Sequence, residues 1–339
     1  MKKVKYIILI LLVLSIIFFG ILFWATSFLD YNAPVKTDNI IVEGWLHACE
    51  LEQIADRLHK IDNLIVVGNI YSGQQVDVAG YFNKYKNGNP GKGRWLYANS
   101  TLVINPDLFK IDNKRDSLQI IIKAKGTKAD GRFAHFNLII NGRYTGGAFV
   151  SSKSVEYIFN IKLDKETVNS INVFFDNDSD YAGEDRNLFV NSIQVNGRLI
   201  VTNKFTSLIS TEENRFTTGF SSRAGTTINY LKALGIKPGR FVKVRFKFAE
   251  ENQTLAAAME FGKWVGKENI VSFNLISAGV HSRRSWVTYK SVLGDSFEMG
   301  IISLEPEKYG YDNWWRSAGG IGMMVDEFFS FLYCYFRCG

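Results

Sequence analysis

The densest run of acidic side chains is Phe174-Phe175-Asp176-Asn177-Asp178-Ser179-Asp180-Tyr181-Ala182-Gly183-Glu184-Asp185-Arg186-Asn187-Leu188-Phe189-Val190. It places Asp176, Asp178, Asp180, Glu184 and Asp185 in one loop between two apolar runs. Calcium takes hard oxygen ligands, several of them anionic, within one small sphere. An EF-hand counted from Asp176 needs a sixth-position glycine, a twelfth-position glutamate and flanking helices. The chain has Tyr181 and Asn187 there, with strand-like flanks. Two readings stay open: a calcium loop of another kind, or a solvated acidic turn with Arg186 as partial partner.

A second set of residues could bind an anion. Val280-His281-Ser282-Arg283-Arg284 opens a helix directly after the apolar run ending at Ser277-Ala278-Gly279. Free helix N–H groups, an imidazole and two guanidinium forks suit phosphate or carboxylate. The same residues also fit an ordinary solvated helix start. Neither a GxGxxG turn nor a Walker loop accompanies them. Cys49, Cys334 and Cys338 are an odd number without metal spacing, and read as three thiols.

The elements that must carry these residues alternate. Asn39–Glu43 reads as a buried strand. Leu51, Ile54, Ala55 and Leu58 follow at helical spacing, and Leu64–Gly68 is a second apolar run. The alternation resumes with a helix over 223–235 and a strand over 240–248 at a sheet edge. A helix over 253–266, a strand over 270–277, a helix over 282–293, a strand over 297–304 and a final helix over 320–336 complete it. This predicts an α/β fold with a doubly wound, Rossmann-like parallel sheet. In the strand order 3-2-1-4-5, ligands bind beyond the carboxyl ends of the strands where the chain reverses. Glu43-Gly44, Glu251-Asn252-Gln253-Thr254 and the His281 turn would line that crevice.

Between 98 and 203 the runs are short and β-like, with Asn141-Gly142 and Asn196-Gly197 as hairpin signals. This predicts a β-sandwich inserted after the second strand. The Gly-, Asn- and Lys-rich stretch 83–95 reads as a surface loop. The expected domains are a cytoplasmic stub and transmembrane anchor over 1–30, a discontinuous α/β domain over 38–75 plus 218–336, and a sandwich over 98–203.

Residues 6–24 carry no charge, and Lys2, Lys3 and Lys5 precede them. About 20 apolar residues span a bilayer as a helix, and the lysines hold the N-terminus in the cytoplasm. A single-pass anchor in the cytoplasmic membrane follows, with the bulk of the chain extracytoplasmic. A cleaved signal peptide is the rival reading. The formal net charge of +7 owes part of its excess to this leader. No nucleic-acid partner is therefore expected.

The stretches "IIVEGWL" (40–46), "ENQTLAAAMEF" (251–261), "SAGVHSRRSWVTYKSVLGD" (277–295), "MGIISLEP" (299–306) and "WWRSAGGI" (314–321) resemble the YdcF/SanA/ElyC-like family of bacterial envelope proteins. The resemblance covers about 38–75 and 218–336. It implies a Rossmann-type fold, a membrane anchor and a part in cell-envelope or peptidoglycan integrity, with lipid-carrier metabolism as one route. The family's polar positions fall on Glu43, Asn252, Thr254, His281, Arg283 and Arg284, beside Gly44. "KAKGTKADGRFAHFNLIINGRY" and "VFFDNDSDYAGEDRNLFVNSIQVNG" are similar to the calcium-dependent xylan-binding carbohydrate-binding modules. That resemblance implies calcium gripping vicinal sugar hydroxyls. Asp180 and Asp185 would be carboxylate ligands, Glu184 would give a backbone carbonyl, and Asp178 would support them. The expected function is an anchored envelope protein that binds a glycan through calcium and a phosphate-bearing ligand, such as a lipid-linked phosphate, in the α/β crevice. The alternative is a hydrolase or phosphatase acting on a lipid-carrier phosphate, with His281 as acid or base, Glu43 as its partner and the two arginines as charge stabilisers.

Overall fold

The computed structural model describes residues 2–58, 60–70, 75–77, 94–96, 101–104, 116–163, 167–181, 183–200, 215–217, 222–249, 252–307, 314–316 and 318–338. The chain opens with α1 (Lys2–Leu29), β1 (Asn39–Glu43), α2 (Ala48–Arg57) and β2 (Asn63–Asn69). Short strands β3 (Gln75–Asp77), β4 (Arg94–Leu96) and β5 (Thr101–Ile104) lead into β6 (Ser117–Gly126), β7 (Lys128–Ala129), β8 (Arg132–Phe133), β9 (His135–Ile140) and β10 (Arg143–Phe149). Then come β11 (Val155–Lys162), β12 (Ile171–Phe175), β13 (Ser179–Tyr181), β14 (Glu184–Arg186), β15 (Leu188–Val195), β16 (Arg198–Ile200) and β17 (Arg215–Thr217). The last part is α3 (Arg223–Ala233), β18 (Arg240–Phe246), α4 (Gln253–Val265), β19 (Ser272–Ala278), α5 (His281–Leu293), β20 (Glu298–Leu304) and α6 (Ala318–Cys338). Of the loop expected at 83–95, residues 83–93 lie outside the described residues.

Two compact units result. One holds residues 1–46, 58–67 and 238–339; the other holds 47–57 and 68–237. The first contains a five-stranded sheet in the order β18-β2-β1-β19-β20, which is the expected 3-2-1-4-5. β1 pairs in parallel with β2 and β19, and β19 with β20. Strands of this kind read as continuous apolar runs because helices cover both faces. Ile41, Ile65, Phe273, Leu275 and Ile301 are the buried centre of its core, joined by Phe261 of α4 and Tyr289 of α5.

The segment after α1 is laced to the sheet edge. Ala33 exchanges both backbone hydrogen bonds with Ile301 of β20, at 2.9 and 3.0 Å. Asn274 of β19 grips Val35, accepting from its N–H at 2.8 Å and donating to its carbonyl at 2.9 Å. Gly300 makes room: a Cβ there would collide with the Asn274 amide and the Val35 nitrogen. α1 itself is one 28-residue helix. Among the described residues no helix is long and apolar enough to cross a membrane. Side chains at 7, 11, 18, 19, 21 and 22 lie outside them, so the anchor stays an expectation from the sequence.

The second unit is a β-sandwich of the sheets β10-β9-β12-β5 and β11-β6-β15-β16, with β4 added beside β15. β6 alternates exposed and buried along its length, turning Leu118, Ile120, Ile122 and Ala124 into the core. Asn141-Gly142 and Asn196-Gly197 both take positive φ at each residue, as two-residue hairpin turns demand. Asp130-Gly131 does the same between β7 and β8. One boundary differs from expectation. α2 and α3, expected within the α/β domain, group with the sandwich. Polar side chains at the sandwich's acidic end hold them there.

Candidate functional site

The acidic loop folds into the hairpin β13–β14, and the strand register sorts its carboxylates. Asp180 lies directly opposite Asp185, and Tyr181 opposite Glu184. Directly opposed residues of an antiparallel pair project on one face, with Cβ atoms about 5 Å apart. Asp180 and Asp185 therefore present two exposed carboxylates side by side, a like-charge pair that repels itself unless a cation shares it. Glu184 points to the other face, where its carboxylate accepts from the Asp130 N–H at 3.0 Å. Its side chain serves the β7–β8 turn, leaving its carbonyl as the group it could offer a metal. Asp178 is half-buried at the entry to β13. Asp176 turns inward: its carboxylate meets His135 Nδ1 at 2.7 Å and accepts from Asn137 Nδ2 at 2.6 Å. Among the described residues no group of three His, Cys, Asp or Glu could hold a metal. The hairpin supplies two exposed carboxylates side by side. Calcium's six to eight positions leave several for water or sugar hydroxyls, so the donor set fits calcium that exchanges ligands rather than a closed structural site.

Beneath the hairpin sits a buried charge. Arg186 is fully enclosed, and its guanidinium donates to both Glu52 oxygens at 2.6 and 3.0 Å. It also donates to the carbonyls of Arg132 and Asn177, each at 3.1 Å, and of Ala129. Burial alone would lower its pKa; the hydrogen bond and charge of Glu52 outweigh that and raise it. Tyr230 of α3 donates its hydroxyl to Glu52 and accepts from Asn177 Nδ2 at 3.1 Å. Burial, then the Glu52 charge, holds the Tyr230 phenol well above its ordinary value. Asn229 Nδ2 donates to Asn137 Oδ1 at 2.9 Å. Two helices from outside the sandwich sequence thus complete its acidic end.

The crevice residues fall into separate arrangements. Glu43, at the end of β1, is buried and accepts from Ser285 Oγ at 3.0 and 3.1 Å. The Tyr289 hydroxyl is buried without a hydrogen-bond partner among the described residues. Burial first, then the Glu43 charge, raises its pKa well above the ordinary value. Gly44 N–H continues the β1–β2 ladder onto the Val67 carbonyl at 2.8 Å. Asn252 caps α4, accepting from Leu255 N–H at 2.9 Å.

His281 and Arg284, one turn apart on α5, converge on Glu327 of α6, a residue the sequence reading did not single out. Arg284 grips it bidentately at 2.9 and 3.0 Å and reaches Thr254 Oγ1 at 3.4 Å. His281 Nδ1 lies 3.0 Å from Glu327 Oε1 and 2.7 Å from Arg284 Nη2; it can donate to the first or accept from the second, not both. The ring edge stands on Trp45, centroids 4.6 Å apart, and Nε2 is buried without a hydrogen-bond partner among the described residues. Burial would raise the Glu327 pKa, but His281 and Arg284 together hold it well below the carboxylate range. Burial would lower the Arg284 pKa; Glu327, then the Glu43 charge, raises it.

Arg283 is turned elsewhere. Its guanidinium donates to the Phe28 carbonyl at the end of α1 and lies 4.1 Å from the ring centroids of both Phe28 and Tyr31. Burial lowers its pKa, with Tyr31 acting in the opposite sense. Of the expected anion-binding trio, only His281 and Arg284 come together, and a carboxylate already sits between them.

Residues 119–210 match the family described as CBM60, "Ca-dependent carbohydrate-binding module xylan-binding". The calcium expected from the sequence agrees with that description. Among solved structures, the chain is similar to the CBM36-1 domain of a multidomain xylanase from the hindgut metagenome of Trinervitermes trinervoides. That likeness has 14% identity and a TM-score of 0.23, over 39% of this chain and 94% of that one. It is similar also to a CBM36 module in complex with calcium and xylotriose, at 12% identity and TM-score 0.20, over 32% of this chain and 90% of that one. A third likeness is an acetyl xylan esterase, Est2A, from the rumen bacterium Butyrivibrio proteoclasticus, at 12% identity and TM-score 0.21, over 34% of this chain and 30% of that one. No curated protein matches the chain.

Two outcomes follow. Glu52→Ala leaves Arg186 buried without its counter-charge and should cost about 3–5 kcal/mol; urea unfolding of the full chain in detergent measures it. The Glu327 interaction is fully present above its ordinary 4.5. It fades as pH falls below that toward the depressed folded value. Glu327→Gln should therefore be less stable than the parent at pH 7, with the gap closing as pH is lowered beneath 4.5.

Proposed function

We propose that the sandwich binds a glycan through a calcium ion held at β13–β14, in a protein mounted on the cytoplasmic membrane by α1 with its bulk outside. The observation that carries this is the register that sets Asp180 and Asp185 face to face in the open while diverting Glu184. The family match over this segment supports the metal and the ligand class. Xylan is the glycan named for the similar modules, and an envelope glycan is the candidate that the SanA-like resemblance adds. The uncharged run 6–24 within one continuous helix supports the mount. At about 1.5 Å per residue it is long enough for a hydrocarbon core.

Calorimetry of the full chain in detergent tests the sugar half, with xylo-oligosaccharides and peptidoglycan fragments titrated in calcium and in chelator. Heat of binding should appear in calcium alone, and Asp180→Asn and Asp185→Asn should each weaken binding at least tenfold, about 1.4 kcal/mol. Equal binding with and without calcium would remove the proposal.

A phosphate-bearing ligand in the crevice, and the hydrolase reading, draw on the buried, unpartnered Nε2 of His281. Glu327 weighs against an anion there, since it already neutralises Arg284. If the hydrolase reading holds, the protein releases phosphate from polyprenyl phosphate and His281→Ala abolishes release while the unfolding transition is retained. Absence of turnover in the parent protein sinks it.

A further inference from the structure

At the start of α5, donors and acceptors do not balance. Arg284 holds Glu327 side-on, Nε to Oε2 at 2.9 Å and Nη2 to Oε1 at 3.0 Å. This fork fixes the plane of the guanidinium. Nη2 carries a second hydrogen, and His281 Nδ1 lies 2.7 Å away.

An arginine keeps its proton inside a protein and has no lone pair to offer. The 2.7 Å contact is therefore favourable only if Nδ1 accepts. Were Nδ1 protonated, two N–H groups would face each other at that distance. The longer contact, 3.0 Å from Nδ1 to Glu327 Oε1, makes no such demand. There the two acceptors share the hydrogens of Nη2.

A neutral ring whose Nδ1 accepts carries its hydrogen on Nε2. That atom is buried without a partner among the described residues. So is Nε1 of Trp314, which lies in one apolar cluster with Val280. An indole nitrogen can only donate. Two buried donors thus lack an acceptor.

We propose that Arg284, locked by Glu327, sets His281 as the Nε2–H tautomer, so that the ring offers a hydrogen-bond donor to a ligand oxygen in the crevice. Arg284 is then a positioning residue that acts through the imidazole. The oxygen belongs to a carbonyl or a phosphodiester. A multiply charged phosphate is disfavoured, because Glu327 neutralises Arg284 and the Glu43 charge bears on the same guanidinium. The assignment holds with or without turnover. It denies His281 the part of general base, since its free nitrogen has no lone pair to take a proton. A neutral imidazole N–H polarises the oxygen it meets.

The test is the nitrogen–proton correlation spectrum of the histidine-labelled full chain in detergent, at about pH 8, where an ordinary imidazole is neutral. The chain has four histidines, and His281→Gln identifies the signals of residue 281. Nε2 should be protonated and Nδ1 bare. A hydrogen on Nδ1 overturns the proposal from the parent protein alone. In Arg284→Met, Glu327 becomes the sole partner of Nδ1, and the hydrogen should move there. A ring that keeps Nε2–H in that variant, with the unfolding transition retained, removes Arg284 as the group that sets it. N-acetylglucosamine supplies a carbonyl and dimethyl phosphate a phosphodiester, each titrated into the parent protein. A saturable shift of the Nε2–H signal is expected with one of them and tells which oxygen is taken. No shift with either overturns the assignment of the ligand.

Discussion

A guanidinium sealed from water must find an oxygen for its donors, and Arg186 sets this condition at the acidic end of the sandwich. Its acceptors come from the β7–β8 turn, the start of the acidic loop and α2. None can move alone without stranding a charge. Such a pair adds little net stability, because desolvation offsets most of the attraction. Its effect is to single out one arrangement. The hairpin that presents Asp180 and Asp185 is held in part by Glu52, 134 positions from Arg186, and a module cut at the sandwich boundaries would lack it.

The α/β unit applies the same logic to a different end. Half-buried His281, Arg284 and Glu327 pair with one another, so the mouth expected to attract anions is close to internally balanced. Among the described residues of this unit, the buried polar atoms without a partner are Nε2 of His281, the hydroxyl of Tyr289 and Nε1 of Trp314. A ligand for this place would gain more from meeting those atoms than from bulk charge.

Strands and helices of the α/β unit were legible because each has a clear period and the strand order follows from right-handed crossovers. The sandwich was legible through its Asn-Gly turns, and Asp130-Gly131 carried the same signal unused. The pairing of Asp180 with Asp185 needed the register, which a count along the loop does not supply. The partners of Arg186 and Arg284 were hidden for a different reason. Glu52 and Glu327 are ordinary helical acids in sequence, and only the fold brings them within 3 Å of guanidinium groups 134 and 43 residues away. The grouping of α2 and α3 with the sandwich was hidden in the same way, since topology assigns a helix to its neighbouring strands while polar contacts decide what it packs on.

The stitching of Ala33 and Val35 to the sheet edge has a mechanical meaning. A flexible stalk would let the α/β unit swing freely about the end of the helix. Here the helix passes into a bridge on the sheet edge without a slack residue between Tyr31 and Ala33, so the α/β unit and the end of α1 turn together.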